Sequence, residues 1–129
     1  MLWMLLAAAA TSPAAPAPHT DAGYAQARDV AWREEASLDA AASTIMIGNL
    51  GEAGGKALQV CLPKRTERVP PVFTVVLQLD ARGKVGKAWG QGEPALVACM
   101  KHELTGKTVF APPQAPFHVA FELLPDDVE

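Results

Sequence analysis

Two cysteines, Cys61 and Cys99, are the feature that most constrains how this chain folds. They permit a disulfide, a redox or nucleophilic thiol, or two ligands of a metal site. Residues 62–98 separate them, so there is no Cys-x-x-Cys element, and neither has a base at a recurrent nucleophile spacing. His102 stands at i+3 from Cys99, but a zinc site there would lack a fourth ligand and the usual paired spacings. A Cys61–Cys99 disulfide is the favoured interpretation, conditional on export to an oxidising compartment.

The N-terminal residues 1–10 are uncharged and nearly all apolar, and Ala8 to Ala10 form the small-x-small pattern that signal peptidase recognises. We therefore expect a signal peptide over residues 1–10, extending at most to residue 17. The apolar run is too short to cross a bilayer, which takes about twenty apolar residues. The mature product is expected to be soluble and to have no stable membrane span.

One domain is expected from the length and composition. The chain has 129 residues, half of them apolar, which is enough for one hydrophobic core and too short for two comfortable ones. Its formal net charge is −3, and basic residues cluster only at Lys64, Arg65 and Arg68. This distribution lacks the basic footprint of a nucleic-acid-binding protein, so no nucleic-acid partner is expected.

A tether and a helical segment are predicted to precede the main domain. Residues 11–20 alternate proline with small residues, which predicts a Pro/Ala-rich tether without regular structure. Residues 21–50 are assigned as a helical segment, in which apolar residues at helical spacing predict a helix over residues 21–42. Residues 44–50 fit either a short buried strand or the end of this helix. Trp32 is either a core residue or part of a contact surface, and the core position is favoured.

Four glycines between residues 48 and 55 are expected to interrupt any long helix. A separate short amphipathic helix is predicted over residues 52–62, because Leu58 and Cys61 lie one turn apart on an apolar stripe. The proline that follows ends this helix. Cys61 is therefore expected to face inward.

Residues 73–89 carry the strongest strand signal of the chain. Side chains alternate over Phe73 to Leu79 so that one face of a strand is strongly apolar. Residues 80–83 then form a turn with Asp first and Gly last, and Val85 and Trp89 continue a returning strand. These residues predict a β-hairpin.

A helix and a closing strand follow the hairpin. Pro94 at the first position and Gly106 beyond the end bound a helix over residues 94–105, and Cys99 lies on its apolar stripe. Alternating apolar residues over 117–123 predict the last strand. The order of elements is therefore hairpin, helix and strand.

These elements define one α+β domain over residues 51–124, in which a three-stranded antiparallel sheet packs against helices. An acidic tail, residues 125–129, follows the domain. Because Cys61 and Cys99 lie on the apolar stripes of separate helices, the disulfide is expected to join helix to helix across the sheet.

The sequence contains no recognisable catalytic arrangement. His102 and Glu103 are adjacent on a helix and point about 100° apart, so they do not easily serve one reacting centre. His118 lies on the less apolar face of the last strand, His19 lies in the tether, and neither has a visible partner. There is no nucleophile elbow, phosphate-binding loop or metal motif. We assign no catalytic residue, cofactor or metal and do not expect an enzyme, a small enzyme being the third-ranked alternative.

Several packing and turn features occur together in the second half of the chain: Cys61 on the leading helix, the strand Phe73 to Leu79, the turn Asp80-x-x-Gly83-x-Val85, Cys99 in the next helix, Phe110-x-Pro112 and the closing strand Phe117 to Leu123. In this order they resemble the C-terminal domain of TonB-type energy transducers, especially its cysteine-bearing AgmX/PglI-like branch. The resemblance covers about residues 58–124. It implies an α+β domain that works in the periplasm by binding other envelope proteins, with a receptor peptide added to an exposed sheet edge.

The chain is expected to differ from a working transducer, because the N-terminal apolar run is too short for a spanning anchor and the predicted tether is too short to cross the periplasm. We therefore expect a soluble periplasmic protein-binding adaptor without energy transduction, whose partner is an envelope protein or peptide. Trp89 and Trp32 are the candidate partner-binding residues, with ordinary core packing as the alternative for Trp89. The alternative function is a periplasmic inhibitor or immunity protein against an envelope-acting enzyme.

Overall fold

The computed structural model describes residues 18–62 and 72–124. Their elements, in chain order, are β1 (His19–Thr20), α1 (Tyr24–Ala36), α2 (Ala40–Cys61), β2 (Phe73–Leu79), β3 (Val85–Gly92), α3 (Pro94–Leu104) and β4 (Phe117–Leu123). The predicted signal peptide, residues 11–17 of the predicted tether and the acidic tail lie outside the described residues. None of these three helices is long and apolar enough to cross a membrane.

The four described strands form one antiparallel sheet in the order β1-β3-β2-β4. The predicted α+β class is confirmed, as are the β2–β3 hairpin, the helix that begins at Pro94 and the strand over residues 117–123. The sheet has four strands rather than the predicted three. The extra strand arises because His19 and Thr20, at the end of the predicted tether, pair with Gly92 and Gln91 of β3.

Helices cover both faces of the sheet. α1 packs on one face, mainly over β4, whereas α2 and α3 pack on the other. Alternate residues of β2 serve the two layers: Phe73 and Leu77 belong to the core under α2 and α3, and Val76 belongs to the core under α1. Thr74, on the less apolar face of the predicted strand, is also buried. The helical segment predicted over residues 21–50 thus contributes core residues to both layers.

The helix predicted over residues 21–42 is divided into α1 and the start of α2. Asp39 marks the division, because its carboxylate accepts a hydrogen bond from the Ala42 N–H at 2.8 Å and so caps the N-terminus of α2. α2 then includes both residues 44–50 and most of the short helix predicted over 52–62. Of the two alternatives for residues 44–50, the structure therefore shows helix.

The prediction that glycines would interrupt a long helix is wrong, because α2 runs through all four of them. Tertiary packing explains one of these glycines directly. A Cβ built on Gly54 would overlap the ring of Phe121 on β4, whereas a Cβ on Gly51 would meet nothing within 4 Å. Gly54 therefore allows α2 to lie close to β4, and the packing of Met46, Leu50 and Ala57 into the core stabilises the helix despite its low intrinsic propensity.

Cys61 and Cys99 are paired as predicted, with an S–S distance of 2.12 Å and a Cα–Cα distance of 5.7 Å. Cys61 ends α2 and Cys99 lies in the middle of α3. The two helices are neighbours on the same face of the sheet. The disulfide therefore joins adjacent helices within one layer, and does not reach across the sheet as expected.

Substituting Gly54 by Ala should lower the free energy of unfolding by about 1–3 kcal/mol, because the added methyl overpacks the contact with Phe121. The matched change Gly51→Ala should raise stability by up to about 1 kcal/mol, since it improves helix propensity in open space. Urea denaturation of both variants measures the difference. Equal effects of the two substitutions would mean that α2 does not lie against β4.

Replacing both cysteines by Ala should reduce the free energy of unfolding by about 2–4 kcal/mol. The bond closes a loop between residues separated by 38 positions and so limits the unfolded chain. Urea denaturation with and without reductant measures the effect, and reductant should not change the stability of the double variant. Two reactive thiols in the folded, oxidised wild type would contradict the pairing.

Candidate functional site

β4 is an edge strand among the described strands, since β2 is its one neighbour. The pairing runs from Phe117 opposite Leu79 to Leu123 opposite Phe73 without a bulge. The backbone groups of an edge strand that point away from its neighbour are available to another strand. The Ala120 N–H is such a group, because it donates to a side chain of α1. β4 therefore presents the backbone edge that strand addition requires.

Glu35 of α1 occupies this edge at one point. Its carboxylate Oε1 accepts a hydrogen bond from the Ala120 N–H at 3.2 Å. Partial burial raises the pKa of Glu35, the hydrogen bond from Ala120 opposes this change, and the nearby Glu122 carboxylate raises the pKa further. The Ala120 N–H is the one donor to this carboxylate within the described residues. Glu35 thus takes the place of the carbonyl oxygen that an added strand would bring.

Trp32 lies on the same flank of α1 as Glu35. Its side chain is 55% exposed, so the favoured core position is wrong. Arg28 lies over the Trp32 ring at 4.5 Å and pairs with Glu122 of β4 at 3.5 Å. The buried stripe of α1 consists of Tyr24, Ala27 and Ala31. The term β4 edge site denotes the outer backbone of β4 together with four side chains: Arg28, Trp32, Glu35 and Glu122.

The opposite edge of the sheet, along β3, is closed at both ends by the chain itself. Beyond β1, the Asp21 N–H donates to the Gly90 carbonyl oxygen at 3.0 Å, and the Asp21 carboxylate accepts from the Gly90 N–H at 2.8 Å. At the other end, the Val85 N–H donates to the Lys107 carbonyl at 2.9 Å, and the Val85 carbonyl accepts from Gly106 at 2.8 Å. Among the described residues, no strand pairs with the outer side of β4.

The Asp21 carboxylate also stabilises the closed β3 edge through its charged contacts. Its carboxylate lies 2.6 Å from Lys101 Nζ of α3 and 2.6 Å from His19 Nε2, so His19 has a partner that the sequence did not reveal. Burial raises the pKa of Asp21, but hydrogen bonds from Lys101, Gly90 and His19 outweigh it and lower the pKa from 3.8 to about 2. The charge joins the N-terminal segment to α3 and β3.

Trp89 is half-buried and stands apart from the β4 edge site. It packs against the core cluster under α1, in accord with the alternative of core packing. Its ring centroid lies 5.9 Å from that of His118, and Lys87 Nζ lies 5.7 Å from the Trp89 ring. With Val30 of α1, Trp89 and His118 line a groove of about 220 Å³. The structure therefore brings Trp89 to His118 and does not bring it to Trp32.

His118 has partners on two other elements, contrary to the expectation that it has none. Its Nδ1 lies 2.7 Å from Glu34 Oε1 of α1, and its Nε2 lies 3.3 Å from Gln78 Nε2 of β2. Both His118 and Glu34 are largely buried. This contact helps to place α1 over β4, with Glu35 at the edge.

His102 and Glu103, considered above as an acid and base pair, do not line the same groove. A groove of about 510 Å³ lies between α2 and the segment after α3, with charged lining residues Glu52, Lys56, Glu103 and Lys107. His102 does not line it. Among residues 18–62 and 72–124, no group of three or more His, Cys, Asp or Glu side chains is placed to hold a metal ion.

Comparisons of the chain with protein-family models, curated proteins and solved structures found no match. Function is therefore inferred from the geometry of the β4 edge site and of the closed opposite edge.

Replacing Asp21 by Asn should destabilise the fold by about 2 kcal/mol near neutral pH, since the carboxylate pKa falls from 3.8 to about 2 on folding. This contribution is complete above the unfolded pKa and is lost as the pH falls through the folded one. The stability difference between wild type and Asp21→Asn should therefore shrink between about pH 4 and pH 2.

Chemical denaturation across this pH range measures the difference. The control is Asp29→Asn, which removes an exposed carboxylate paired with Arg33 and should change stability by less than about 1 kcal/mol at any pH. A pH-independent difference for Asp21→Asn would show that its charge does not hold the closed edge.

Proposed function

We propose that this chain is a periplasmic protein-binding module of the TonB C-terminal type, an adaptor without energy transduction. It binds an envelope protein or peptide by adding one extended segment of the partner to β4. One observation carries the proposal. The Ala120 N–H points away from β2, at the outer edge of the sheet, and donates to the Glu35 carboxylate instead of to a neighbouring strand. Main-chain hydrogen bonds along β4 would supply affinity, and side chains beside the strand would supply selectivity.

The contrast between the two edges of the sheet supports a dedicated binding edge. β1, Asp21 and residues 106–108 cover much of the outer side of β3. On β4, a single side-chain carboxylate bonds the outward Ala120 N–H. A side-chain carboxylate is a replaceable partner, because the Ala120 N–H exchanges it for a backbone carbonyl oxygen of the guest while β4 stays in place. Charged side chains at an exposed edge also limit unselective pairing between sheets.

The side chains around the edge support a protein partner. Trp32 offers a large exposed ring, and Arg28 lies against that ring. Aromatic and arginine side chains are enriched in protein interfaces and at their most strongly contributing positions. The Cys61–Cys99 pair supports the periplasmic part of the proposal, since disulfides persist in oxidising compartments.

Changing Ala120 to Pro should abolish partner capture from an envelope extract. Proline removes the outward N–H, and proline is tolerated on edge strands where the N–H does not join the ladder. The unfolding free energy should fall by about 1.5–3 kcal/mol, the value of one hydrogen bond to a charged group. Trp32→Ala, which truncates an exposed side chain, should weaken capture without changing the thermal midpoint.

His102→Ala is the control for this experiment, because His102 is exposed on α3 and lies outside the β4 edge site. Wild type and His102→Ala should retain the same bound protein, identified by mass spectrometry. Equal capture by a folded Ala120→Pro variant would refute strand addition at β4. Capture of one enzyme whose activity stops on binding would favour the inhibitor function over the adaptor function.

A further inference from the structure

The Glu35–Ala120 hydrogen bond limits which segments the β4 edge site accepts, and this inference rests on the proposed function. When a guest strand pairs with β4, one of its backbone carbonyl oxygens accepts the hydrogen bond from the Ala120 N–H in place of Glu35. Glu35 then loses its one hydrogen-bond donor within the described residues. A half-buried carboxylate without a donor is costly, and Glu122 beside it adds like-charge repulsion. The guest must therefore provide Glu35 with a new partner.

The two arginines of α1 pair with other carboxylates. Arg28, on the flank of Glu35, lies 3.5 Å from Glu122, although its buried Nε has no hydrogen-bond partner among the described residues. Arg33, on the far side of the helix, lies 3.0 Å from Asp29. These pairs leave Glu35 as the carboxylate of the β4 edge site without a cation from the described residues. One positive charge from the guest would complete the site.

We propose that β4 receives an extended peptide that carries a basic side chain on its α1-facing side, and that this side chain pairs with Glu35 while the peptide backbone bonds Ala120. Successive residues of a strand face opposite sides, so every second guest residue faces α1. A lysine or arginine there meets Glu35 with its charge and lies near Trp32, whose ring attracts cations and covers apolar stems.

The other side of the guest faces the α2 layer and favours apolar residues. Gly54 places α2 directly against Phe121 of β4. Glu52 and other polar residues of α2 line the groove on the side of α3. Ile47 lies on the opposite flank of the helix by its 100° spacing and is 62% exposed. The expected partner segment thus alternates basic or polar residues with apolar ones.

A second copy of this chain fits the site less well than a basic peptide. Its own edge strand, Phe117–Leu123, contains no lysine or arginine. Two β4 strands paired antiparallel about Ala120 would bring the Glu35 carboxylates of both copies close together. Like charges opposed across a sheet destabilise the pairing.

Two blocked synthetic peptides, each as long as β4 and alternating valine with threonine, test the proposal. In each peptide the central threonine is replaced, by lysine in one peptide and by glutamine in the other. NMR titration of the full chain follows the Ala120 amide resonance. The wild type should bind the lysine peptide about tenfold more tightly, as expected for a charged hydrogen bond. Glu35→Gln should bind both peptides equally, since an amide neither requires nor attracts a cation.

Glu52→Gln is the matched control, because it makes the same chemical change on an exposed residue of α2 away from the edge. It should keep the tenfold preference. Equal binding of both peptides by wild type, with the Ala120 amide shifting, would overturn the charge requirement and leave strand addition standing. Retention of the preference in Glu35→Gln would also overturn it.

Absence of any Ala120 shift with either peptide would overturn the inference, and the capture experiment with Ala120→Pro then decides separately whether the proposed function fails with it. An Ala120 shift that depends on protein concentration without peptide would identify a second copy as the occupant, which contradicts the proposal.

Discussion

The burial of β2 on both faces is the constraint on which the rest of the structure depends. Phe73, Val75, Leu77 and Leu79 fill one core, and Val76 is fully buried in the other. A central strand of this kind is stable only when helices cover both sides. α2 and α3 supply one layer, joined by the disulfide, and α1 must supply the other. The N-terminal helix is therefore as necessary to the core as the predicted domain that follows it.

The placement of α1 in turn determines the chemistry of both sheet edges. The chain enters α1 from β1, so Asp21 is brought to Gly90 and Lys101, where its charge closes the β3 side. The C-terminal half of α1 lies over β4, where the Glu34–His118 pair positions the helix and leaves Glu35 at the outward Ala120 N–H. The segment that leads into α1 thus helps to close one edge, and at the other edge a side chain of α1 bonds the outward Ala120 N–H.

Local patterns predicted the elements whose signals are local. β2, the hairpin turn, α3 and β4 follow from alternation, a Gly-containing turn and a proline at the helix start. The disulfide pairing follows from the cysteine count and spacing, on the expectation of an oxidising compartment. α2 did not follow, because its glycines are compensated by a contact between Gly54 and Phe121 that only the folded chain contains. β1 has two residues and no pattern of its own. The candidate site joins Glu35 to Ala120 across 85 positions, and no sequence spacing marks such a pair.

The Glu35 carboxylate affects both the stability of the free β4 edge and the proposed selectivity for a guest strand, through its one hydrogen bond to Ala120. While the edge is free, Glu35 satisfies the Ala120 N–H and places a negative charge beside Glu122, which opposes pairing with an acidic or identical strand. Under the proposed strand addition, the same carboxylate would lose its donor and would penalise any guest that brings no cation. Lysine in place of Glu35 would offer no acceptor to the Ala120 amide, whereas glutamine would keep an acceptor and offer no charge to the guest, so the two substitutions separate the hydrogen bond from the charge. In this proposal, β4 distinguishes between partner segments by the free-energy cost of displacing Glu35 from Ala120. Such selectivity does not require a deep pocket.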